Sequence, residues 1–233
     1  MSKKTGKTLL KLALVGAKGR MGREIQALAA ECTEFKTTVA IDRKEEWTKI
    51  QAKEVDVVLD FSSPAGFCQA LEWCVKMQRP LVSGTTGLTN PDLAQLKKGA
   101  TKVPLLYSAN MSLGIALLSS MLRSLQDLDG WDFQIDEVHH SKKVDRPSGT
   151  ALYLQQVLTE VTGRNLPLPN SIRGGGVPGI HQVWAMGPDE ALVLQHTAFQ
   201  RKVFARGALA AARWIFDKKD PGLYDLSDLY QKK

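Results

Sequence analysis

Three glycines with a three-residue spacing follow a short apolar run near the start of the chain: Gly16, Gly19 and Gly22. The run Leu9–Val15 is typical of a buried strand, and the residues after Gly19 have the apolar spacing of a helix. Glycine lets the backbone turn tightly and approach a pyrophosphate, which the N–H groups at a helix start can bind. The pattern therefore predicts a dinucleotide site. The alternative is a tight strand–helix turn without a ligand.

An acidic residue, Asp42, ends the next strand-like segment about twenty residues beyond the glycines. A carboxylate at this position of a βαβ unit accepts hydrogen bonds from the ribose hydroxyls of NADH. The adjacent Arg43 can instead pair with the additional phosphate of NADPH. The sequence thus predicts use of either cofactor. In the alternative interpretation, Arg43 and Lys44 are only solvated loop charges.

Strand-like and helix-like segments alternate through the first half of the chain, as far as the strand Val103–Tyr107. Such alternation predicts an α/β fold with a parallel sheet covered on both faces. After Asn110 the pattern changes to long apolar helices and alternating strands, which predicts a separate α+β domain. We therefore expect a Rossmann-like dinucleotide-binding domain over 1–108 and a second domain over 109–207.

The chain of 233 residues carries 31 basic and 24 acidic side chains, a net charge of +7. This excess favours an anionic partner but does not choose between an acidic metabolite, a membrane surface and nucleic acid. The three cysteines lack the spacing of a zinc site or a disulfide framework, which favours a reducing setting. No apolar stretch approaches the length of a membrane span. We therefore expect a cytoplasmic protein.

The segment from Glu137 to Thr150 places two adjacent histidines beside two lysines, in a predicted polar loop over His139–Gly149. A histidine and a lysine in one site can supply protons to a substrate. The N–H groups of the helix start at Ser148 can bind a carboxylate. Residue types alone leave three other interpretations open: exposed loop histidines, a basic nucleic-acid patch and a metal site.

Five motifs, in order along the chain, resemble the dihydrodipicolinate reductase family of bacterial lysine and diaminopimelate synthesis. The first three are the glycine loop Val15-Gly-Ala-Lys-Gly-Arg-Met-Gly22, the strand end Asp60-Phe-Ser-Ser-Pro64 and the loop Gly84-Thr-Thr-Gly87. The last two are Ser108-Ala-Asn-Met-Ser112 and Glu137-Val-His-His-Ser-Lys-Lys-Val-Asp-Arg-Pro-Ser-Gly-Thr-Ala151. Arg146 stands where the family commonly has alanine. The likeness extends from about Val15 to Leu209, nearly the whole chain.

The resemblance implies a role for each matching residue. His139 is the implied proton donor or acceptor, and Lys143 is the second proton donor. His140, Gly149 and Thr150 are implied to hold the carboxylates of the substrate. The residues implied to line the cofactor site are, in chain order, Gly16, Ala17, Lys18, Gly19, Arg20, Met21, Asp42, Arg43, Gly84, Thr85, Thr86, Ser108, Ala109, Asn110 and Met111. The resemblance implies no metal.

The implied reaction is the reduction of 4-hydroxy-tetrahydrodipicolinate, through its dehydrated form, to tetrahydrodipicolinate by NADH or NADPH. The family also implies a last helix, about 208–233, that packs back on the first domain. It further implies a homotetramer formed through the open mixed sheet of the second domain. The partners are then expected to be a small dicarboxylate and other copies of this chain, without nucleic acid or a membrane. The alternatives are another Rossmann reductase such as an aspartate dehydrogenase, a nucleotide-binding redox sensor without turnover, and a nucleic-acid binder.

Overall fold

The computed structural model describes residues 8–42 and 44–230, so the predicted cofactor residue Arg43 lies outside the described residues. The described chain separates into two compact units. The first unit comprises 8–111 and 204–229, and the second comprises 112–203 and residue 230. Each unit has its own β-sheet.

The strands of the described chain are β1 (Leu10–Val15), β2 (Phe35–Ile41), β3 (Val57–Asp60), β4 (Leu81–Ser83), β5 (Pro104–Tyr107), β6 (Asp132–His139), β7 (Asn170–Arg173), β8 (Gly179–Met186), β9 (Ala191–Ala198) and β10 (Gly222–Tyr224). Its α-helices are α1 (Arg20–Ala30), α2 (Pro64–Met77), α3 (Asn90–Ala100), α4 (Leu113–Leu122), α5 (Gly149–Thr162) and α6 (Lys202–Phe216). Short 3₁₀ segments lie at Lys44–Lys49, Ala52–Glu54, Arg123–Leu125 and Leu226–Leu229.

The first unit contains a six-stranded sheet in the order β10-β5-β4-β3-β1-β2, in which neighbouring strands run parallel. The chain passes from β1 to β2 on one side of β1 and then to β3 on the other. In open α/β sheets, ligands bind at the carboxyl ends of the strands, where the strand order reverses in this way. The predicted Rossmann-like fold is confirmed, and the glycine loop follows β1 at that position.

The central strands of the first unit's sheet are buried. Every residue of β3 and all but one of β1 are buried, as expected for parallel strands with continuous apolar sequences. Helix α1 buries Ile25, Leu28 and Ala29 on one side. Fully burying one large aliphatic side chain contributes about 1.5–3 kcal/mol relative to leaving it exposed. The loops at the strand ends are therefore carried by a well-packed core.

The second unit contains a four-stranded mixed sheet in the order β7-β6-β8-β9. Strands β6 and β7 run parallel, whereas the other neighbours are antiparallel. Alternate residues of β6 are buried, beginning with Phe133 and Ile135. They pack with residues of α4 and α5 in a hydrophobic core that belongs to this unit. The predicted open mixed sheet is confirmed.

The end of the chain differs from the single helix expected over about 208–233. Helix α6 ends at Phe216, and the chain then forms β10, which pairs in parallel with β5. Pro221, directly before β10, has no backbone N–H to donate within a helix. The four residues ahead of it, Asp-Lys-Lys-Asp, offer no apolar face that could extend α6. Residues 231–233 lie outside the described residues.

Candidate active site

The glycine loop turns directly at the end of β1. Gly16 has a φ of +79°, which favours glycine, and its N–H donates to the Ile41 carbonyl at 2.8 Å. A Cβ atom at Gly16 would lie 2.4 Å from the carbonyl oxygen of Phe61, the residue after β3. Both the backbone angle and the available space therefore require glycine here.

The third residue of helix α1, Gly22, packs against the glycine loop and has no room for a side chain. A Cβ atom at Gly22 would lie 2.3 Å from the Gly16 carbonyl oxygen and 2.6 Å from that of Ala17. The first-turn N–H groups of a helix have no partner within the helix, and they attract an anion. The loop is thus a cradle that larger residues would fill, and it fits the pyrophosphate of a dinucleotide. Lys18 and Arg20 are exposed in it.

Asp42 lies beside the glycine loop, because its Oδ1 atom accepts a hydrogen bond from the Lys18 N–H at 3.0 Å. A pocket of about 180 Å³ opens next to them. The residues that line it are Val15, Gly16, Ile41, Asp42, Trp47, Ser62, Ser63, Ala65, Gly66 and Gln69. The pocket combines a carboxylate and hydroxyl groups with apolar walls, which suits the ribose and the flat purine of an adenosine.

Asp60, the last residue of β3, is fully buried and connects the loops around it. Its Oδ2 atom accepts hydrogen bonds from Ser83 Oγ and Thr85 Oγ1, each at 2.8 Å. Its Oδ1 atom accepts one from Ser62 Oγ at 2.5 Å. Burial raises the pKa of Asp60, and these hydrogen bonds oppose the rise. Nothing local in the sequence predicts this role, because two partners lie 23 and 25 residues further along the chain.

The loops after β4 and β5 lie next to each other at the same edge of the sheet. The Ser108 N–H donates to the Ser83 carbonyl at 3.1 Å. A Cβ atom at Gly84 would lie 2.3 Å from the ring of Phe61. Thr86 is exposed there, whereas the neighbouring threonine is buried against Asp60. The first unit thus brings the described members of the predicted cofactor site to the carboxyl ends of β1, β2, β4 and β5.

In the second unit, a row of polar side chains crosses the buried face of the sheet. Glu137 and His139 are two residues apart on β6 and therefore share a face. The register places His181 of β8 opposite Glu137, and it places Arg173 of β7 opposite His139. His139 is 7% exposed and ends a strand, so the expectation that it begins a polar loop is wrong.

Glu137 is fully buried and is held by Arg173 through two hydrogen bonds. Arg173 Nη1 donates to Oε2 at 2.8 Å, and Nη2 donates to Oε1 at 2.6 Å. The Ser148 N–H donates to Oε1 at 3.2 Å. Burial raises the pKa of Glu137, but the bonds from Arg173 and His139 help to outweigh it, and the pKa falls from 4.5 to about 2. Glu137 is therefore an anion at neutral pH.

The imidazole of His139 is oriented by this anion. Because a carboxylate only accepts, the Nδ1 atom of His139 carries a proton and donates to Glu137 Oε2. The Nε2 atom is then the one that exchanges protons. Burial lowers the pKa of His139 from 6.5, Glu137 raises it, and the charges of Lys143 and Arg173 lower it again, so the net shift is downward. His139 is thus poised to be neutral near pH 7.

His181 forms an uncharged wall beside His139. The two rings pack edge to face with centroids 5.1 Å apart, and His181 Nε2 contacts Ser148 Oγ at 3.3 Å. Burial and the neighbouring histidines, His139 and His196, lower the pKa of His181 to about 3. The sequence gives no local signal for this residue, because His181 lies more than 40 residues from His139 and meets it only through the β6–β8 register.

Helix α5 begins at Gly149, two residues after Pro147. Ser148 caps the helix by accepting a hydrogen bond from the Ala151 N–H at 3.3 Å. Gly149 is exposed and Thr150 is half-buried in the first turn. A helix N-terminus favours negative charge, so this position can receive a carboxylate.

The loop before α5 already binds a carboxylate of this chain. Lys143 Nζ lies 2.8 Å from Asp145 Oδ1. The bond from Lys143, with a smaller contribution from the Gly149 N–H, lowers the pKa of Asp145. His140 is half-buried at the start of this loop. Lys143 and the Gly149 N–H, which are both predicted to act on a dicarboxylate, thus share the Asp145 carboxylate as a partner. This shared partner brings them close together.

Among residues 8–42 and 44–230, no group of three or more His, Cys, Asp or Glu side chains is arranged to hold a metal ion. No helix in these same residues is long and apolar enough to cross a bilayer.

Two family models match consecutive parts of the chain. The model for the N-terminus of dihydrodipicolinate reductase matches residues 10–111, and the model for its C-terminus matches residues 113–230. A 4-hydroxy-tetrahydrodipicolinate reductase of Bdellovibrio bacteriovorus is 41% identical over 220 residues, covering 94% of this chain and 96% of the relative. Another, of Xanthomonas campestris pv. campestris, is 38% identical over 234 residues, covering 94% and 97%.

Solved structures show the same fold. The dipicolinate-bound dihydrodipicolinate reductase from Paenisporosarcina sp. TG-14 aligns with a TM-score of 0.80 at 22% identity, over 95% of this chain and 100% of that chain. A DAP dehydrogenase of C. glutamicum aligns with a TM-score of 0.60 at 12% identity, over 95% and 94% of the two chains. The family models and the relatives at 38–41% identity extend the likeness from fold to sequence over both units, and the chain belongs to the dihydrodipicolinate reductase family of oxidoreductases.

Proposed function

We propose that the chain reduces 4-hydroxy-tetrahydrodipicolinate, through its dehydrated form, with NADH or NADPH, and that His139 and Lys143 supply the protons. Family membership supports the reaction. The observation that carries the assignment of His139 is its buried imidazole, whose Nδ1 atom is held by Glu137. Such an arrangement leaves one defined ring nitrogen for proton exchange.

The cofactor is proposed to bind in the first unit. A bound NADH or NADPH supplies the hydride, which is chemistry that no side chain provides. The glycine loop and the start of α1 bind the pyrophosphate, and Asp42 accepts from the ribose of the adenosine. Arg43 is proposed to pair with the additional phosphate of NADPH, so both cofactors are used.

The protons are proposed to come from the second unit. Hydride addition to a conjugated ring imine leaves negative charge on a neighbouring atom, and a positioned acid lowers the barrier by protonating it. His139 Nε2, in the charged ring, is one such donor. Lys143 is the second, and it is close enough for its charge to lower the pKa of His139.

The carboxylates of the substrate are proposed to bind at the start of α5. Gly149 and Thr150 form the first turn of that helix, where a negative charge is favoured. His140 lies at the other end of the same loop. The bond between Lys143 and the Asp145 carboxylate supports the ability of this loop to hold an anion.

The test is a coupled assay with freshly generated substrate, in which loss of NADH and of NADPH is followed separately. His139→Gln and Lys143→Ala should each lower kcat by about 10²–10⁴-fold, while NADH binding measured by fluorescence stays close to that of the original chain. Lys142→Ala, the exposed neighbouring lysine, and His196→Gln, a histidine on β9, serve as matched controls. Near-normal kcat in both site variants would refute the proposed roles.

The chain is further proposed to form a homotetramer through the sheet of the second unit and to act in the cytoplasm. Strand β9 is an edge strand, and Leu192 and Val193 on it are 42% and 38% exposed. Exposed apolar edge strands tend to be paired or covered. Sedimentation of the purified chain should therefore give four copies, and Leu192→Asp should reduce that number. A monomer at micromolar concentration would contradict this proposal.

A further inference from the structure

Glu137 and Arg173 form a buried ion pair, and each side chain also hydrogen-bonds to backbone groups of neighbouring segments. Glu137 Oε1 accepts from the Ser148 N–H at 3.2 Å, directly before α5. Arg173 Nη2 donates to the Asp145 carbonyl at 2.6 Å, and Nη1 donates to the Ile172 carbonyl at 2.8 Å. One ion pair thus joins β6, β7, the loop and the helix start.

Both members of the pair are removed from solvent. The Glu137 side chain is 0% exposed and the Arg173 side chain is 2% exposed. Burying an ion pair costs desolvation energy that its attraction often only offsets, so a stabilising role alone gives a weak reason for it. Geometry gives a stronger reason. We expect neither residue to contact solvent or substrate. Each of them, however, contacts a part of the site that we expect to do so.

The decisive contact is the one from His139 Nδ1 to Glu137 Oε2. A neutral imidazole can carry its proton on either nitrogen, and the hydrogen bond at one nitrogen decides which. The anionic Glu137 retains the proton on Nδ1 and so leaves the Nε2 atom as the basic one. A Cβ atom at Gly179 would lie 3.0 Å from that Nε2 atom, so a glycine at this position leaves room beside it.

We infer that Glu137 and Arg173 are positioning residues that act through His139. Arg173 fixes the Glu137 carboxylate, and the carboxylate fixes the tautomer and orientation of the imidazole. The same carboxylate holds the start of α5 through the Ser148 N–H. This inference rests on the proposed catalytic role of His139.

Within the described residues of the second unit, four titratable or charged groups face His139. They are Glu137 on the same strand, Arg173 on β7, His181 on β8 and Lys143 in the loop. Of these, Glu137 raises the pKa of His139, whereas Arg173 and Lys143 lower it. Glu137 raises this pKa by more than Arg173 lowers it. Removal of both Glu137 and Arg173 should therefore lower the pKa of His139 further.

The test uses the double variant Glu137→Gln/Arg173→Met in the full chain, which leaves neither buried charge unpaired. Arg173→Lys is the conservative variant, because it keeps the charge but loses the paired donors of the guanidinium. The matched control is Asp136→Asn. Asp136 is the neighbouring acid on β6 but faces the other way, where it accepts from Trp184 Nε1 at 2.9 Å and Asn170 Nδ2 at 2.8 Å.

Two readouts separate positioning from a merely structural role. The first is kcat against pH, with KM for NADH measured in parallel. The second is NMR of ¹⁵N-labelled histidine rings, which reports tautomer and pKa directly. The chain has only four histidines, and His139→Gln identifies the relevant signal.

In the double variant we expect kcat to fall at least about 10-fold, KM for NADH to stay within about twofold, and the pH profile to move to lower pH. The His139 signal should show a lower pKa and a new population protonated at Nε2. Arg173→Lys should show a smaller change in the same direction, and it provides the test if the double variant does not fold. Asp136→Asn should change none of these quantities.

An unchanged tautomer and pKa of His139 in these variants would overturn the inference, even if activity were lost. Near-normal kcat in the folded double variant would also overturn it. Normal kcat in His139→Gln would instead overturn the proposed function of His139. The ring signals in the Glu137 variants would still show separately whether the contact sets the tautomer.

Discussion

Among the glycines of the described residues, Gly207, in the middle of α6, leaves the least room for an added methyl group. A Cβ atom there would lie 1.7 Å from the carbonyl oxygen of Met111, although real Cβ atoms essentially never come closer than 3.0 Å to such an atom. The helix or the Met111 backbone must therefore move by more than about 1 Å in the Gly207→Ala variant. Overpacking of this kind typically costs about 1–3 kcal/mol and sometimes more.

Helix propensity acts in the opposite direction, because alanine is favoured over glycine in a helix by about 1 kcal/mol. The clash is with backbone atoms, which cannot rotate away as a side chain can. We therefore expect its cost to exceed the gain in helix propensity, so that the free energy of unfolding falls by about 2 kcal/mol or more. For a chain of this size that corresponds to a loss of about 4–8 °C in Tm. Met111 belongs to the predicted cofactor segment, so NADH should also bind more weakly.

The assay is equilibrium urea denaturation followed by circular dichroism, with NADH titration by fluorescence. Gly99→Ala in α3 is the matched control, since its Cβ atom would lie 2.6 Å from Leu71 Cδ1, the mobile end of a side chain. That variant should stay within about 1 kcal/mol of the original chain, because propensity offsets a small shift of the leucine. A Gly207→Ala variant as stable as the original chain, with an unchanged denaturant slope, would refute the argument.

Three further predictions concern the sites. Arg43→Ala should raise KM for NADPH selectively, because the 2′-phosphate loses its partner; equal losses for NADPH and NADH would contradict this. Thr150→Val should raise KM for the dicarboxylate more than KM for NADH, and an unchanged substrate KM would make this helix start purely structural. With a folded pKa of about 2 against 4.5, ionised Glu137 stabilises the fold fully above pH 4.5 and loses that effect toward pH 2. The unfolding free energy of Glu137→Gln/Arg173→Met should therefore fall less steeply over this pH window, and an equal slope would argue against it.

The sequence predicts the first unit well because its constraints are local. Gly16 follows a buried strand and precedes a helix, and the positive φ and short contacts found there are what the glycine spacing indicates. The alternation of strands and helices likewise fixes a parallel sheet, although β10 is missed. That strand has only three residues, and it exists because β5 offers an edge for Gly222–Tyr224 to pair with. No local sequence pattern predicts that the edge of β5 is available for pairing.

The contacts that organise the candidate active site are not local, and the sequence does not predict them. Glu137 and Arg173 are 36 residues apart and meet because β6 and β7 run side by side. His139 looks like the start of a polar loop, since the residues after it are charged, yet pairing with Arg173 of β7 extends the strand to include it. Identity of residues is enough to suggest the chemistry, whereas orientation depends on register.

The buried carboxylates show the difference between what residue identity predicts and what strand register decides. Among the described residues, Asp60 and Glu137 are the acidic side chains in the buried class, each 0% exposed. Each accepts hydrogen bonds from segments that the family resemblance assigns to a site, and each lies at or near the carboxyl end of a strand. Neither is needed to fill the core, since well-packed apolar replacements of buried charges are often no less stable. A buried acid with several donors fixes the positions of those donors relative to one another, which apolar packing does less specifically. Their burial is therefore better explained by the geometry of the loops they hold than by the stability of the fold.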